Sequence, residues 1–203
     1  MALTIYGSPR SRTMRVLWMA EELGLAFRHQ PYEWNDPQLK SAPFLALNPA
    51  GAIPTIEDDG VGLPESLAIN LYLAKKHGLG RLYPTTLEGE AQVWRWSLWA
   101  QGELEPWLQR ETRETATAST VAELVRPAIQ RGMTTLERAL SGREWLVVGG
   151  FTVADLNVAC VLSPSRADHI DLAPYPQVAA WLRRCYARPA AVAARARHAE
   201  EKT

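Results

Sequence analysis

The hydrophobic pattern changes character once along the chain. Residues 2–6 alternate and carry the β-formers Leu3, Ile5 and Tyr6, which predicts a short buried strand. Gly7-Ser8-Pro9 breaks it. Val16, Leu17, Ala20 and Leu23 then recur at helical spacing, with Gly24 as the stop signal of a first helix. Residues 27–34 read as a second strand, interrupted by His29 and Gln30. Asn35-Asp36-Pro37 predicts the cap and first turn of a short helix through Leu47, with a break or kink at Pro43. Residues 54–57 and 61–63 flank Asp58-Asp59-Gly60, a hairpin signal. Leu67, Ile69, Leu71, Leu73 and Ala74 mark an amphipathic helix over 66–77, closed by Gly78. The order β-α-β-α-β-β-α describes an α/β domain over residues 1–78 with a hairpin at one edge.

A Gly/Pro-bearing connector at 79–85 ends that domain, and strand signals almost vanish beyond it. Residues 86–115 read as one long helix bearing Trp94, Trp96, Trp99 and Trp107. Residues 121–140 give another despite Pro127. Thr152-Val153-Ala154-Asp155 opens a third through Leu162, and residues 178–186 lie in a fourth. The Ala/Arg-rich stretch 189–197 is expected to be helical. The second domain, 86–203, is therefore all-α.

Composition narrows the function. Lys plus Arg and Asp plus Glu both number 22, so no basic footprint points to nucleic acid. No apolar run approaches the ~18 residues of a membrane span. The start is a strand pattern with no leader-like segment, and a soluble cytoplasmic protein is expected. The two cysteines, Cys160 and Cys185, are far apart in helical segments, which excludes a disulfide framework and a CxxC pair.

Two segments carry candidate chemistry. Ile53, preceding Pro54, is biased toward an extended backbone that offers its N–H and C=O. A helix starting at Glu65-Ser66 leaves its first N–H groups without intrahelical partners, and its dipole attracts anions. Together they suit a small peptide with a free carboxylate. Each also has a plain structural use, Ser66 as a helix cap and Pro54 as an edge-strand proline. Thr152-x-x-Asp155 is a capping box and stays outside the site.

The layout and four motifs resemble the cytosolic glutathione transferase family over essentially the whole chain. The motifs are Ser8-Pro9-Arg10-Ser11-Arg12, Asn48-Pro49 through Pro54, Glu65-Ser66-Leu67-Ala68-Ile69, and Phe151 through Leu156. The first, with Val16-Leu17-Trp18 and Glu21-Glu22-Leu23-Gly24, looks like the serine-type bacterial and fungal subgroup. The resemblance implies a thioredoxin-like first domain that binds glutathione as co-substrate, with no metal, for transfer to a hydrophobic electrophile or for peroxide reduction. It makes Pro54 a cis-proline and Ile53 the backbone partner of the cysteinyl unit. It assigns Glu65 to the γ-glutamyl amino group and Ser66 to the γ-glutamyl carboxylate. Ser11 is the preferred thiol-activating hydroxyl, with Ser8 and Thr13 as the other candidates. Tyr6 is read as core packing. The first domain has no cysteine, so the ligand must bring the thiol. Where relatives often carry a basic residue before the Ile-Pro pair, this chain has Ala52, and Lys40 or solvent is left for the glycyl carboxylate. A co-substrate pocket between the domains would draw on Arg10, Trp99 and Trp107, and a homodimer is implied. The competing expectation is a non-catalytic glutathione-binding or regulatory protein of the same fold.

Overall fold

The computed structural model describes residues 3–111 and 121–200. It divides into two compact units, one running to Tyr83 and resuming at Ala187, the other being Pro84–Tyr186. A boundary at 79–85 leaves the returning segment with the helical domain; charge pairing draws it back to the first unit.

That unit holds a four-stranded sheet in the order β2-β1-β3-β4. Strands β1 (Leu3–Tyr6) and β2 (Phe27–Gln30) are parallel. β3 (Thr55–Asp58) is antiparallel to both β1 and β4 (Val61–Pro64). Leu3, Ile5 and Ile56 are buried, as are Val16, Leu17 and Ala20 on α1 (Thr13–Leu23) and Ile69 and Leu73 on α3 (Ser66–His77). The fold class is as the hydrophobic pattern predicts, an α/β unit followed by helices.

Three element bounds differ from the sequence expectation, each for a local reason. β2 stops at Gln30 instead of continuing to 34, because Tyr32 N turns back onto Gln30 O at 2.8 Å and is not donated to β1. The single helix expected after Asp36 is two: a 3₁₀ turn (Pro37–Lys40) capped by Asp36, and α2 (Ala42–Leu47) capped by Ser41. Pro43 sits in the first turn of α2, where a missing N–H costs nothing. In the hairpin, Asp58 is the last strand residue, and Asp59 (φ 50°) and Gly60 (φ 85°) form the turn. Two successive positive φ values are what a two-residue hairpin turn demands.

The returning segment carries α10 (Pro189–Glu200), which packs on α1. Arg188 donates to both oxygens of the buried Glu22 carboxylate at 2.6 and 2.8 Å, and Trp18 Nε1 donates to it at 3.0 Å. Arg197 pairs with Glu21 at 2.6 Å and lies over the Phe27 ring. A bidentate guanidinium is the partner that makes a buried carboxylate tolerable.

In the second unit, α4 (Leu87–Trp99) continues through a π-helical segment, Ala100–Leu104, into α5 (Glu105–Glu111). The expected helix is thus unwound in its middle, and its stretch beyond 111 lies outside the described residues. A second π segment, Val121–Val125, leads into α6 (Arg126–Ala139). α6 approaches closely at Gly132, where a Cβ would stand 3.0 Å from Leu104 Cδ1. α7 (Val153–Leu162), α8 (Pro164–Ala167) and α9 (Pro176–Tyr186) follow. Every residue of α7 is buried, with Cys160 buried and unbridged, and so is Cys185 of α9.

The Thr152–Asp155 capping box forms, and Asp155 does more than cap. Its fully buried carboxylate accepts from Leu146 N (2.9 Å), Trp181 Nε1 (2.9 Å) and Thr152 N (3.0 Å). Burial pushes this carboxyl above the usual range, opposed by the hydrogen bonds donated to it. We predict that Asp155→Ala strands the Leu146 and Trp181 donors and costs about 3 kcal/mol or more. Urea unfolding monitored by tryptophan fluorescence checks this; a loss below about 1 kcal/mol would contradict it.

Candidate functional site

The turn from β1 into α1 is closed by a glycine. Gly7 has φ 127°, and a Cβ there would collide with Thr13 Oγ1 and lie 2.9 Å from Ile53 Cβ. His29 Nε2 contacts Gly7 O at 2.9 Å from β2. The end of β1, the start of α1 and the Ile53-Pro54 segment are therefore packed backbone to side chain. The Ile53-Pro54 bond is cis.

Helix α1 starts at Thr13, several residues after the breaker, and Arg12 at its N-cap makes no side-chain capping bond. The three candidate hydroxyls crowd this start. Ser8 and Thr13 are fully buried, while Ser11 is half-buried and so the accessible one of the three. Ser11 Oγ donates to Ser8 O (2.8 Å), accepts from Thr13 N (3.1 Å) and lies 2.8 Å from Thr13 Oγ1. Arg10 and Arg12 are exposed beside it.

The loop ahead of Pro54 is held by Asn48. Its buried side chain donates to Ala52 O (2.9 Å) and Thr55 Oγ1 (3.0 Å) and accepts from Ala50 N (3.0 Å). Ala52 is exposed, and Lys40 Nζ reaches Gly51 O at 3.5 Å. Ile53 is half-buried and Pro54 buried.

At the start of α3, Glu65 is the N-cap and Ser66 the first helical residue, one position on from the capping role sequence alone suggests. Glu65 is exposed and holds φ 72°, ψ 104°, without a side-chain capping bond. A non-glycine there stores on the order of 1–3 kcal/mol, which the surroundings must offset. Ser66 is buried, and its Oγ accepts from Arg15 Nη1 at 3.3 Å. Arg15, 5 % exposed, is a residue the sequence reading missed. Its signal was present as a charge beside the otherwise apolar run of α1 from Val16 to Ala20.

Tyr6 packs tilted against Tyr32 and edge-on against Phe44, at 5.8 and 5.5 Å between centroids, and its hydroxyl donates to Glu57 at 3.3 Å. Burial, then the Glu57 carboxylate, pushes its phenol up. That is the opposite of what thiol activation by a tyrosine would ask. In the second unit Trp99 is half-buried, edge-on to the buried Trp96 at 5.4 Å. Trp107 is half-buried beyond the π segment, with Arg110 over its ring.

Known proteins share this sequence pattern and fold. Residues 1–75 match the family model of the glutathione S-transferase N-terminal domain, and residues 105–184 that of the C-terminal domain. Glutathione S-transferase 3 of Zea mays is 31% identical over 201 residues, covering 93% of this chain and 90% of the relative. The disulfide-bond oxidoreductase YfcG of Escherichia coli is 30% identical over 199 residues, covering 93% and 92%. Among solved structures, glutathione transferase URE2P6 from Phanerochaete chrysosporium in complex with oxidized glutathione matches with TM-score 0.83 and 25% identity, covering 98% of this chain and 96% of the other.

The tight closure at Gly7 can be tested directly. Gly7→Ala forces a Cβ into Thr13 and Ile53 at a φ that L-residues avoid, so destabilisation of about 2–4 kcal/mol is expected. Thermal or urea unfolding measures it, and a Gly7→Ala variant within about 0.5 kcal/mol of wild type, the size of a neutral surface change, would show the closure is loose.

Proposed function

The chain belongs to the glutathione S-transferase family, and on that premise we propose that it activates the thiol of glutathione through Ser11, as a serine-type member. The observation that carries this reading is the Gly7 closure, which packs the Ser11-bearing helix start against Ile53-Pro54. The neighbour solved with oxidized glutathione supports the ligand.

In this reading the γ-glutamyl carboxylate lies at Ser66 and the first N–H groups of α3. The buried Arg15 guanidinium adds positive charge there, and Glu65 takes the γ-glutamyl amino group. Ile53 pairs with the cysteinyl unit through its backbone. Lys40, whose Nζ reaches Gly51 O, or solvent alone is assigned to the glycyl carboxylate. A free cysteine thiol has pKa about 8.5 and is only a few per cent ionised at neutral pH. Each unit of lowering needs ~1.4 kcal/mol, so a donated hydroxyl bond and a helix end together supply about one to two units. The thiolate then forms a C–S bond with the electrophile, the leaving group departs with its electron pair, and the thiol proton goes to water. With a hydroperoxide, two glutathione thiols give the disulfide, an alcohol and water.

The electrophile is assigned to Arg10, Trp99 and Trp107, each accessible in its own unit. In the same reading the protein works as a cytoplasmic homodimer. A second reading, a non-catalytic glutathione-binding or regulatory protein, has one observation in its favour: the Ser11 proton is already given to Ser8 O.

Conjugation of glutathione to a generic aryl halide separates the two. Ser11→Ala is expected to lower kcat about 10- to 100-fold with modest change in KM for glutathione. Full activity in that variant would remove Ser11, and glutathione binding without turnover of halide or hydroperoxide would favour the second reading. Arg15→Met is expected to raise KM for glutathione about tenfold or more while the KM for the halide stays put. An unchanged KM for glutathione would take Arg15 out of the site.

A further inference from the structure

The Ser11 hydroxyl has one proton and is already using it. A hydroxyl can donate once and accept twice. Ser8 O can only accept from it, and the Thr13 amide can only donate to it. The Thr13 hydroxyl, 2.8 Å away, is the partner that can take either role. We infer that Thr13 is a positioning residue, whose hydroxyl donates to Ser11 Oγ so that the Ser11 proton can be handed from Ser8 O to a thiolate.

The exchange is inexpensive on the protein side. Ser8 O keeps the Ser11 amide at 3.0 Å when the hydroxyl leaves, so no carbonyl is stranded. Ser11 Oγ then accepts from both the amide and the hydroxyl of Thr13 while donating to sulfur. Two bonds donated into an oxygen polarise its own O–H and strengthen it as a donor. Thr13 is fully buried, and its Oγ1 is walled in by Gly7, which keeps it from turning to water. Of the charged groups nearby, Arg10 and Arg12 flank Ser11 in the chain, Arg15 donates to Ser66 Oγ, and His29 lies against Gly7 O.

The inference rests on Ser11 being the thiolate's donor, and the test keeps the two claims apart. The thiol pKa of enzyme-bound glutathione is titrated by the ultraviolet absorbance of the thiolate, alongside kcat/KM for aryl halide conjugation. Thr13→Val is expected to raise that pKa by about half to one unit, a roughly two- to eightfold loss of thiolate near neutrality, with KM for glutathione unchanged. Thr13→Ser should restore both values. In the Ser11→Ala background, Thr13→Val should change the pKa no further. If Thr13→Val fails to fold, Thr13→Ala carries the same expectation with more room at the Gly7 contact.

An unshifted pKa in a folded hydroxyl-less variant overturns the inference and leaves Ser11 standing. An equal shift with and without Ser11 also overturns it, because Thr13 then acts on sulfur directly. An unshifted pKa in Ser11→Ala alone sinks the Ser11 reading and this inference together.

Discussion

There is no room for a side chain at position 7, and the geometry of the candidate site follows from that. With hydrogen alone at Gly7, the buried Thr13 and the half-buried Ile53 can both approach the same stretch of backbone. The start of α1 and the segment before Pro54 then become parts of one wall. Arg15, a few residues along α1, ties that wall to the start of α3 through Ser66. The site's precision is thus inherited from helix packing in the first unit, with α1 packed on both β1 and α3. A loop carrying the same residues would lack that rigidity.

Buried charge is used in two distinct ways. Glu22 is enclosed by Arg188 and Trp18, and Asp58 by Lys76 at 2.7 Å and Tyr72 at 3.0 Å, so each carboxylate meets a cation and a neutral donor. Asp58, as the first cause, holds the Lys76 ammonium above the ordinary lysine range. These are structural pairs, valuable mainly because losing one partner would strand the other. Arg15 brings a buried guanidinium to a neutral hydroxyl, Ser66 Oγ, at the positive end of a helix. Two positive influences at one buried point favour an anion there.

Much of this was legible in the residues. The bounds of α3 follow from its apolar positions and Gly78, and Asp59-Gly60 announces the hairpin because few other pairs accept two positive φ values. Ile53-Pro54 and Glu65-Ser66 were visible as motifs because their chemistry is local. Arg15 was not, since what it touches lies on another helix and no spacing rule links them. The true start of α1 was hidden for a related reason: Arg12 offers no cap, so the helix begins where tertiary contacts allow. The π segment at Ala100–Leu104 leaves no trace in a periodicity read at the α-helical pitch, although Gly132 of α6, where a Cβ would meet Leu104 Cδ1 at 3.0 Å, marks how closely a neighbouring helix packs on it.

The return of α10 to α1 bears on how the protein is made. The helical unit is spliced into the first one, so Glu22 emerges from the ribosome long before Arg188 exists to neutralise it. Until then α1 carries a carboxylate whose native burial has no guanidinium to balance it. Contacts spanning that much chain close late, after the cost in loop entropy has been met. The first unit is therefore completed last, although it is read first, and the helices in between have time to fold before it can lock.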